Sequence, residues 1–356
     1  MTPPFLFIPG PTPVPDHILS AMAQPSIGHR TPEFSHLWQD ITGRLESMLG
    51  AKRVFLFSNP ATGVWEAVIR NSVVKGALNL VNGAFSGKWH QTAEACGVMC
   101  EAITKPWGQA FHPEDIEGAL STGKFDTVTL VHNETSTGVA SPIEPIAELI
   151  QRKYPDVLLH VDAVSSMAAV EIRADDWGLA SCFASLQKAW SLPPGFTVCT
   201  VSDKLLDRSA SMSAKGYYFD MHVYDTYYQK QQTPSTPSLP HMYGLQAVLS
   251  DIAAEGLDAR YGRHLAMAGT VRQWATRRGQ SLYAEPGCES VTLTAIRNDA
   301  GWDVQALYEA LEKEGYRMDR GYGKLRGEVF RIAHMGAVTP HQVETYLATI
   351  DRLVAA

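Results

Sequence analysis

The 356-residue sequence lacks the features that mark a membrane-spanning or exported protein. No stretch approaches the ~20 consecutive apolar residues that a membrane-spanning helix requires. The N-terminus has one apolar run of four residues, 5–8, and no basic residue precedes this run, so we expect no secretory signal peptide. The sequence therefore predicts a cytoplasmic protein that has no membrane partner.

Cysteine is scarce and is not arranged for cross-linking. The five cysteines are Cys96, Cys100, Cys182, Cys199 and Cys288, an odd number without the spacing of a disulfide framework. They include no C-x-x-C pair and no short-range Cys/His cluster, which are the usual sequence patterns of zinc sites. We therefore expect five reduced thiols and no bound metal, as in most cytosolic proteins.

Positive charge is also in deficit, because 37 acidic residues outnumber 30 lysines and arginines. The resulting formal net charge is −7. A surface that binds nucleic acid or an anionic membrane is usually basic, so neither partner is expected. The apolar fraction of 45% and the charged fraction of 19% are those of an ordinary globular protein.

Strands and helices alternate along the first part of the chain. Strands are predicted at 54–57, 77–81, 98–103, 127–132, 157–162, 182–185 and 196–202, and predicted helices separate most of them. Such alternation is typical of an α/β fold with a doubly wound, mostly parallel sheet. We predict a large domain over residues 16–245 and a small α+β domain over residues 246–356, which the N-terminal segment 1–15 joins.

A carboxylate and an amine occupy positions that suit one cofactor, pyridoxal 5′-phosphate (PLP). Asp162 ends the apolar strand predicted at 157–162, and Lys188 follows in a short segment that leads into a proline-rich turn. PLP requires a lysine for its Schiff base and an acidic group that faces its pyridinium nitrogen. The alternative for these two residues alone is a solvated surface lysine and an ordinary strand-end aspartate.

Three other strand ends carry turns that fit the same cofactor. Residues 58–63 form a turn of small residues before a helix, which suits a phosphate, although an ordinary capped turn fits as well. Residues 82–87 place Phe85 where its ring could cover a pyridine ring, and a loop aromatic that fills the core is the alternative. Residues 132–138 can place a hydroxyl near the cofactor, and a solvated loop is the alternative.

Three later features complete the set. Gln187 can donate a hydrogen bond to the ring hydroxyl oxygen of PLP. Residues 231–238 combine prolines with hydroxyl side chains, and such a rigid loop suits phosphate oxygens, including those of a neighbouring subunit. The same loop could also simply cap the next helix through Ser238. Arg331 lies within an apolar strand, where a guanidinium requires either an internal acid or the carboxylate of a ligand.

Taken together, these motifs resemble those of the class V aminotransferases, a subgroup of the fold-type I PLP enzymes, over essentially the whole chain. The similarity is greatest to the enzymes that use alanine or serine with glyoxylate. The segments that carry the resemblance are residues 9–15, 29–34, 82–85, 133–138, 161–162, 185–188, 233–237 and 330–332.

The resemblance implies a homodimer with active sites at the subunit interface, and it assigns a role to each candidate residue. Lys188 would form the Schiff base, and Asp162 would face the pyridinium nitrogen. The remaining contacts would be Ala61 and Thr62 with the phosphate, Phe85 with the ring face, Thr135 and Gln187 with the ring substituents, Thr233 and Thr236 with the neighbouring subunit's phosphate, and Arg331 with the substrate carboxylate.

The chain departs from the family pattern at three positions. The phosphate turn reads Pro60-Ala61-Thr62 where the family commonly begins with Ser-Gly, so one hydroxyl is lost and the phosphate contacts are less certain. Phe85 stands where tryptophan is frequent, and its smaller ring should still serve. Ala333 replaces a frequent glycine, which we expect to be harmless.

The implied reaction is a ping-pong transamination from serine or alanine to glyoxylate or pyruvate. The alternative is phosphoserine transamination, for which His29 and Arg30 would bind the second phosphate with help from Lys324 or Arg326. An ion pair between Arg30 and Glu33 is the structural alternative for the arginine.

Two other functions are disfavoured. A cysteine desulfurase normally carries histidine before its lysine, where this chain has Gln187, and it needs a mobile catalytic cysteine. A PLP-binding regulator usually carries a DNA-binding module, for which 356 residues leave no room.

Overall fold

The computed structural model describes residues 3–355. The strands are β1 (Phe5–Leu6), β2 (Val54–Phe57), β3 (Ala77–Val81), β4 (Cys100–Thr104), β5 (Thr127–Val131), β6 (Asn133–Glu134), β7 (Val139–Ala140), β8 (Leu158–Asp162), β9 (Ser181–Ser185), β10 (Thr197–Val201), β11 (Leu293–Arg297), β12 (Tyr316–Arg317) and β13 (Val329–Ala333). The helices are α1 (Asp16–Met22), α2 (Pro32–Leu49), α3 (Ala61–Ser72), α4 (Ala84–Ala95), α5 (Pro113–Leu120), α6 (Ile143–Lys153), α7 (Asp203–Ala210), α8 (Met221–Tyr228), α9 (Leu239–Glu255), α10 (Leu257–Arg277), α11 (Val304–Lys313) and α12 (Pro340–Val354), with a single 3₁₀ turn at Gly323–Leu325.

The centre of the fold is a seven-stranded sheet in the order β2-β10-β9-β8-β5-β3-β4. Every pair in it is parallel except those that β10 makes with β2 and β9. This topology confirms the predicted α/β fold with a doubly wound, mostly parallel sheet.

Apolar side chains cover both faces of this sheet. Successive residues of a strand point to opposite faces, so one strand contributes to two cores. In β2, Val54 and Leu56 pack in one cluster with helices α2 and α9, whereas Phe55 and Phe57 pack in another with helix α3. The near-continuous apolar strands that the sequence shows are therefore explained by burial on both sides.

The sheet brings the candidate residues to one edge. Val131 at the end of β5 is paired with Asp162 at the end of β8, and Asp162 is paired with Phe183 of β9. The turns that follow these strands therefore leave the sheet side by side, which is where ligands of open parallel sheets bind.

Helices α7 and α8 were absent from the sequence prediction although each begins with a capping side chain. Ser202 accepts a hydrogen bond from the backbone N–H of Leu205 at 3.2 Å, and Asp220 accepts one from His222 at 2.9 Å. Both helices have only eight residues, and short helices offer little periodicity to detect. Among the described helices, none combines the length and apolar character needed to cross a membrane.

The C-terminal part has a core of its own, to which the N-terminal strand contributes. Strand β1 pairs in parallel with β12, and Phe7 stacks on Tyr346 with ring centroids 3.9 Å apart. The predicted division at 245/246 falls inside helix α9, whose buried side chains pack with the large sheet, whereas those of α10 join the C-terminal cluster. We therefore propose a division near Gly256, between these two helices.

Candidate active site

Lys188 is buried in the turn after β9 and is enclosed by the N-terminal segment. Its Nζ donates a hydrogen bond to the carbonyl of Pro9, and Thr12 Oγ1 donates to the Lys188 carbonyl at 2.8 Å. A Cβ atom on Gly10 would lie 2.8 Å from both Cδ and Cε of the lysine. Glycine at this position is therefore what allows the N-terminal segment to lie directly against the Lys188 side chain.

Asp162 is also buried, and two hydrogen bonds fix its carboxylate. Trp65 Nε1 donates to one carboxylate oxygen at 2.7 Å, and the backbone N–H of Val164 donates to the other at 2.8 Å. Trp65 lies one turn into helix α3, four residues after Ala61, so the helix that begins at the predicted phosphate turn also orients the aspartate.

Burial sets the ionisation of both groups. It raises the pKa of Asp162 to about 6, and the hydrogen bonds from Val164 and Trp65 act in the opposite direction. Burial and, to a smaller extent, the nearby positive charge of Arg331 lower the pKa of Lys188 to about 8, whereas the Asp162 carboxylate acts in the opposite direction. Desolvation thus disfavours the charged form of each residue and leaves both able to exchange protons near neutral pH.

A buried carboxylate that the sequence analysis did not assign, Glu134, holds two site loops together. It accepts hydrogen bonds from the backbone N–H groups of Phe85 at 3.1 Å and Ser86 at 2.9 Å. It also accepts bonds from the hydroxyls of Ser86 and Ser136 at 2.9 and 2.7 Å. A charged acceptor with this many donors fixes the loop that carries Phe85 against the loop that carries Thr135.

Thr135 and Arg331 are joined directly. The Thr135 hydroxyl shares a hydrogen bond of 2.5 Å with Ser165, and its carbonyl accepts a bond of 2.6 Å from Arg331. Arg331 forms a two-pronged ion pair with Asp319, with both N···O distances 2.7 Å. Arg331 was expected to have either an internal acidic partner or a ligand carboxylate, and the internal partner, Asp319, is present.

The ring of Phe85 lies beside Lys188 and beneath a tyrosine. Lys188 Nζ is 5.9 Å from the Phe85 centroid, and Tyr322 stacks on the same phenylalanine at 5.3 Å. Tyr322 also accepts a hydrogen bond of 2.6 Å from Lys88 and lies 5.5 Å from the Arg331 guanidinium. This tyrosine comes from the distant 321–323 loop, and no local pattern in the sequence pointed to it.

In the predicted phosphate turn, the Ala61 backbone N–H, which was expected to contact the phosphate, has a partner within the chain. The backbone N–H of Ala61 donates to Ser185 Oγ at 2.6 Å, so this amide is already bonded within the chain. Pro60 provides no side-chain cap for helix α3, and Thr62 is exposed at its first turn. Thr62 is therefore better placed than Ala61 to contact a phosphate at this helix N-terminus.

The remaining candidates, His29, Arg30, Thr233 and Thr236, form a second group. Arg30 donates to the Pro234 carbonyl at 3.4 Å and lies 5.1 Å from the Tyr227 ring, so the His29-Arg30 segment contacts the 233–236 loop. In this loop, Thr233 is buried and donates to the Ser235 carbonyl at 2.8 Å, whereas Thr236 is exposed. Among the residues described, the alternative ion pair between Arg30 and Glu33 does not form.

Buried polar atoms without partners provide a test of whether PLP fits this site. Gln187 Oε1 and both amide atoms of Asn59 are buried and lack a hydrogen-bond partner in the described part of the chain. Buried polar groups are costly to leave without partners, and a bound ligand or water is one way in which they are satisfied. Their positions, beside Lys188 and in the phosphate turn, agree with the polar ring substituents and the phosphate of PLP.

The Glu134 network predicts different effects at two glycines near the start of helix α4, Gly83 before the helix and Gly87 within it. A Cβ atom on Gly83 would lie 2.2 Å from Glu134 Cγ and 2.7 Å from Ser136 Oγ, whereas one on Gly87 would meet only Val81 at 3.8 Å. Overpacking of this kind costs about 1–3 kcal/mol, so Gly83→Ala should lower the free energy of unfolding by that amount. The matched control Gly87→Ala should be neutral or slightly stabilising in the same urea titration, and equal effects of the two variants would contradict the described contacts.

Comparison with known proteins agrees with this geometry. The aminotransferase class-V family model matches residues 5–321. The chain is 32% identical to the L-aspartate–glyoxylate aminotransferase of Paracoccus denitrificans, covering 98% of this chain and 91% of the relative. It is 33% identical to the serine–glyoxylate aminotransferase of Methylorubrum extorquens, covering 93% and 86%. The crystal structure of the alanine–glyoxylate aminotransferase from a Nostoc species superposes with a TM-score of 0.92 at 28% identity, covering 99% of this chain and 96% of that one. The chain belongs to the class V aminotransferases.

Proposed function

We propose that this aminotransferase depends on PLP, held as a Schiff base on Lys188, and transfers the amino group of serine or alanine to glyoxylate or pyruvate by a ping-pong mechanism. The observation that carries the proposal is the burial of Lys188 and Asp162 at one sheet edge, with Phe85 and Arg331 beside the lysine. We further propose that the enzyme is a cytoplasmic homodimer.

PLP, when bound, supplies an electron sink that stabilises negative charge on the α-carbon of an amino acid. We assign Asp162 the role of keeping the ring nitrogen protonated through its anionic carboxylate, a form that the hydrogen bonds from Val164 and Trp65 favour against the effect of burial. Trp65 and Val164 hold this carboxylate in one orientation. Two described amines lie near the Phe85 ring, Lys88 at 5.6 Å and Lys188 at 5.9 Å, and of these only Lys188 is buried. Its Nζ is therefore the group we assign to carry a proton to and from the substrate α-carbon.

Arg331 is suited to bind the substrate carboxylate although it already has an internal partner. A guanidinium has five N–H groups, and three of them are bonded to Asp319 and to the Thr135 carbonyl. Two N–H groups therefore remain for a ligand. Because the ion pair with Asp319 holds the guanidinium in place, little conformational entropy is lost when a carboxylate binds.

The substrate pair is supported by the named relatives. The three relatives differ in the amino donor, which is aspartate, serine or alanine, and share glyoxylate as the named acceptor. Glyoxylate is therefore the acceptor we favour. The donor depends on the side-chain pocket, for which we retain serine or alanine as the leading substrates.

The second group of site candidates supports the dimer. Arg30, Thr236 and the loop that contains Thr233 lie together, and Arg30 and Thr236 are exposed. Thr233 and Thr236 would reach the phosphate site of a neighbouring subunit, as the family resemblance implies. In such a dimer His29 and Arg30 would face the neighbour's substrate, and this placement also suits the alternative substrate, phosphoserine.

The assignment of Lys188 predicts the behaviour of a substituted enzyme. Removal of a proton-transfer group costs at least about 100-fold in rate, so Lys188→Ala should lower turnover with serine and glyoxylate by that factor or more. The wild-type protein should change its visible absorbance on addition of serine and recover it with glyoxylate. Lys204→Ala, which removes an exposed lysine, should retain both responses. Substantial turnover by folded Lys188→Ala would contradict the assignment.

The lowered pKa of Lys188 predicts how cofactor capture depends on pH. Only the neutral amine attacks the aldehyde of PLP, and burial lowers the lysine pKa to about 8. In cofactor-free protein the capture rate should therefore rise about tenfold per pH unit below this pKa and level off above it. Stopped-flow absorbance would measure the rate. A rate that still rises tenfold per unit above about pH 9 would indicate an ordinary exposed lysine.

A panel of amino donors separates the two candidate functions. Serine, alanine, aspartate and phosphoserine would each be tested in the first half-reaction with wild-type enzyme and with Arg30→Ala. If serine or alanine is the donor, Arg30→Ala should change the rate less than about tenfold, because neither side chain needs a second cation. A strong preference for phosphoserine that Arg30→Ala abolishes would replace the leading substrates with the alternative.

A further inference from the structure

Three side chains with different donor atoms meet outside the active site. His112, Glu285 and Cys288 each bring one potential ligand atom within 4.8 Å of the other two. His112 Nε2 and Glu285 Oε1 are 3.5 Å apart. No metal was expected from the sequence, because the cysteines lack short-range partners. His112 is so far from Cys288 along the chain that only the fold reveals their proximity.

A single tight turn presents two of these side chains. Residues Glu285-Pro286-Gly287-Cys288 place proline and a glycine with φ +87° at the central positions, and the N–H of Cys288 donates to the Glu285 carbonyl at 3.2 Å. This is the pattern of a type II turn. Two residues separate Glu285 from Cys288, which is the spacing with which zinc-binding turns present paired ligands.

The loop that carries His112 is fixed to this turn. The backbone N–H of Glu285 donates to the Gly108 carbonyl at 2.8 Å, and the N–H of Ala110 donates to Glu285 Oε1 at 2.9 Å. The second bond orients the carboxylate, as outer-shell bonds do for metal ligands. Backbone contacts therefore fix the two loops against each other and orient the Glu285 carboxylate.

We propose that His112, Glu285 and Cys288 bind one Zn²⁺ ion, with water as the fourth ligand. Tetrahedral zinc with nitrogen and oxygen ligands separates them by about 3.4 Å, close to the 3.5 Å between His112 and Glu285. A thiolate with an imidazole favours zinc over magnesium or calcium, which prefer oxygen ligands alone. The side chains of His112 and Glu285 are 36% and 30% exposed, so an ion can enter from solvent.

The bound ion would join two parts of the chain next to the catalytic loops. The Cys288 carbonyl accepts a bond of 2.7 Å from the N–H of Ala140, which belongs to strand β7. Strand β7 pairs with β6, the strand that contains Glu134. Zinc would therefore brace the hairpin that holds the site carboxylate, and it should raise the thermal midpoint of the protein.

Equilibrium dialysis of tag-free, chelator-treated holoenzyme against Zn²⁺ tests the proposal, with bound metal measured by mass spectrometry. Wild type should bind one zinc per chain and unfold at a higher temperature with zinc than with chelator. Loss of an outer-shell contact alone costs about 10- to 100-fold in metal affinity, so Cys288→Ser and His112→Ala should each weaken binding by at least about 100-fold.

Cys96→Ser is the matched control, because it removes another half-buried thiol while leaving the proposed ligands in place. This variant should bind zinc as wild type does. The proposal is overturned if wild type binds no zinc, if Cys288→Ser and His112→Ala bind it unchanged, or if Cys96→Ser also loses it. Each outcome is independent of transaminase activity, so failure of the zinc site leaves the proposed function untouched.

Discussion

The site depends on keeping an amine and a carboxylate out of water at one edge of a parallel sheet. Burial disfavours the charged form of each group, and it moves the pKa of Lys188 and that of Asp162 toward neutrality. The chain offsets the cost of burying Asp162 with two hydrogen bonds, from Trp65 and from Val164. The same two hydrogen bonds lower the pKa of Asp162 and so favour its anion, whereas burial favours the neutral amine of Lys188.

Segments that are far apart in sequence build the surroundings of this pair. The N-terminal segment lies on Lys188 through Pro9 and Thr12, and the C-terminal strand β13 contributes Arg331, which bonds to the Thr135 loop. The same N-terminal segment pairs with β12 of the C-terminal part. A displacement of the C-terminal part would therefore be transmitted to both Lys188 and Arg331.

The sequence predicts those features that local patterns carry. Apolar strands that end on Asp162 or lead to Lys188 indicate that both residues lie at the edge of a sheet. The strands predicted at 54–57 and 77–81 agree with β2 and β3. The contacts of Arg331 with Asp319 and of Phe85 with Tyr322 were not predictable, because they join loops whose proximity only the tertiary fold determines. The proximity of His112, Glu285 and Cys288 was not predictable for the same reason. The bond between Ala61 and Ser185 shows that a helix N-terminus alone does not reveal which amide is free.

The central claim is that one particular amine holds the cofactor. Reduction of the PLP-loaded protein with borohydride converts an imine into a stable secondary amine, and digestion followed by mass spectrometry then identifies the modified lysine. The account predicts that the phosphopyridoxyl group is found on Lys188, the lysine that is buried next to Asp162 and Phe85. A label on another lysine, or a protein that remains unlabelled after incubation with PLP, would contradict it.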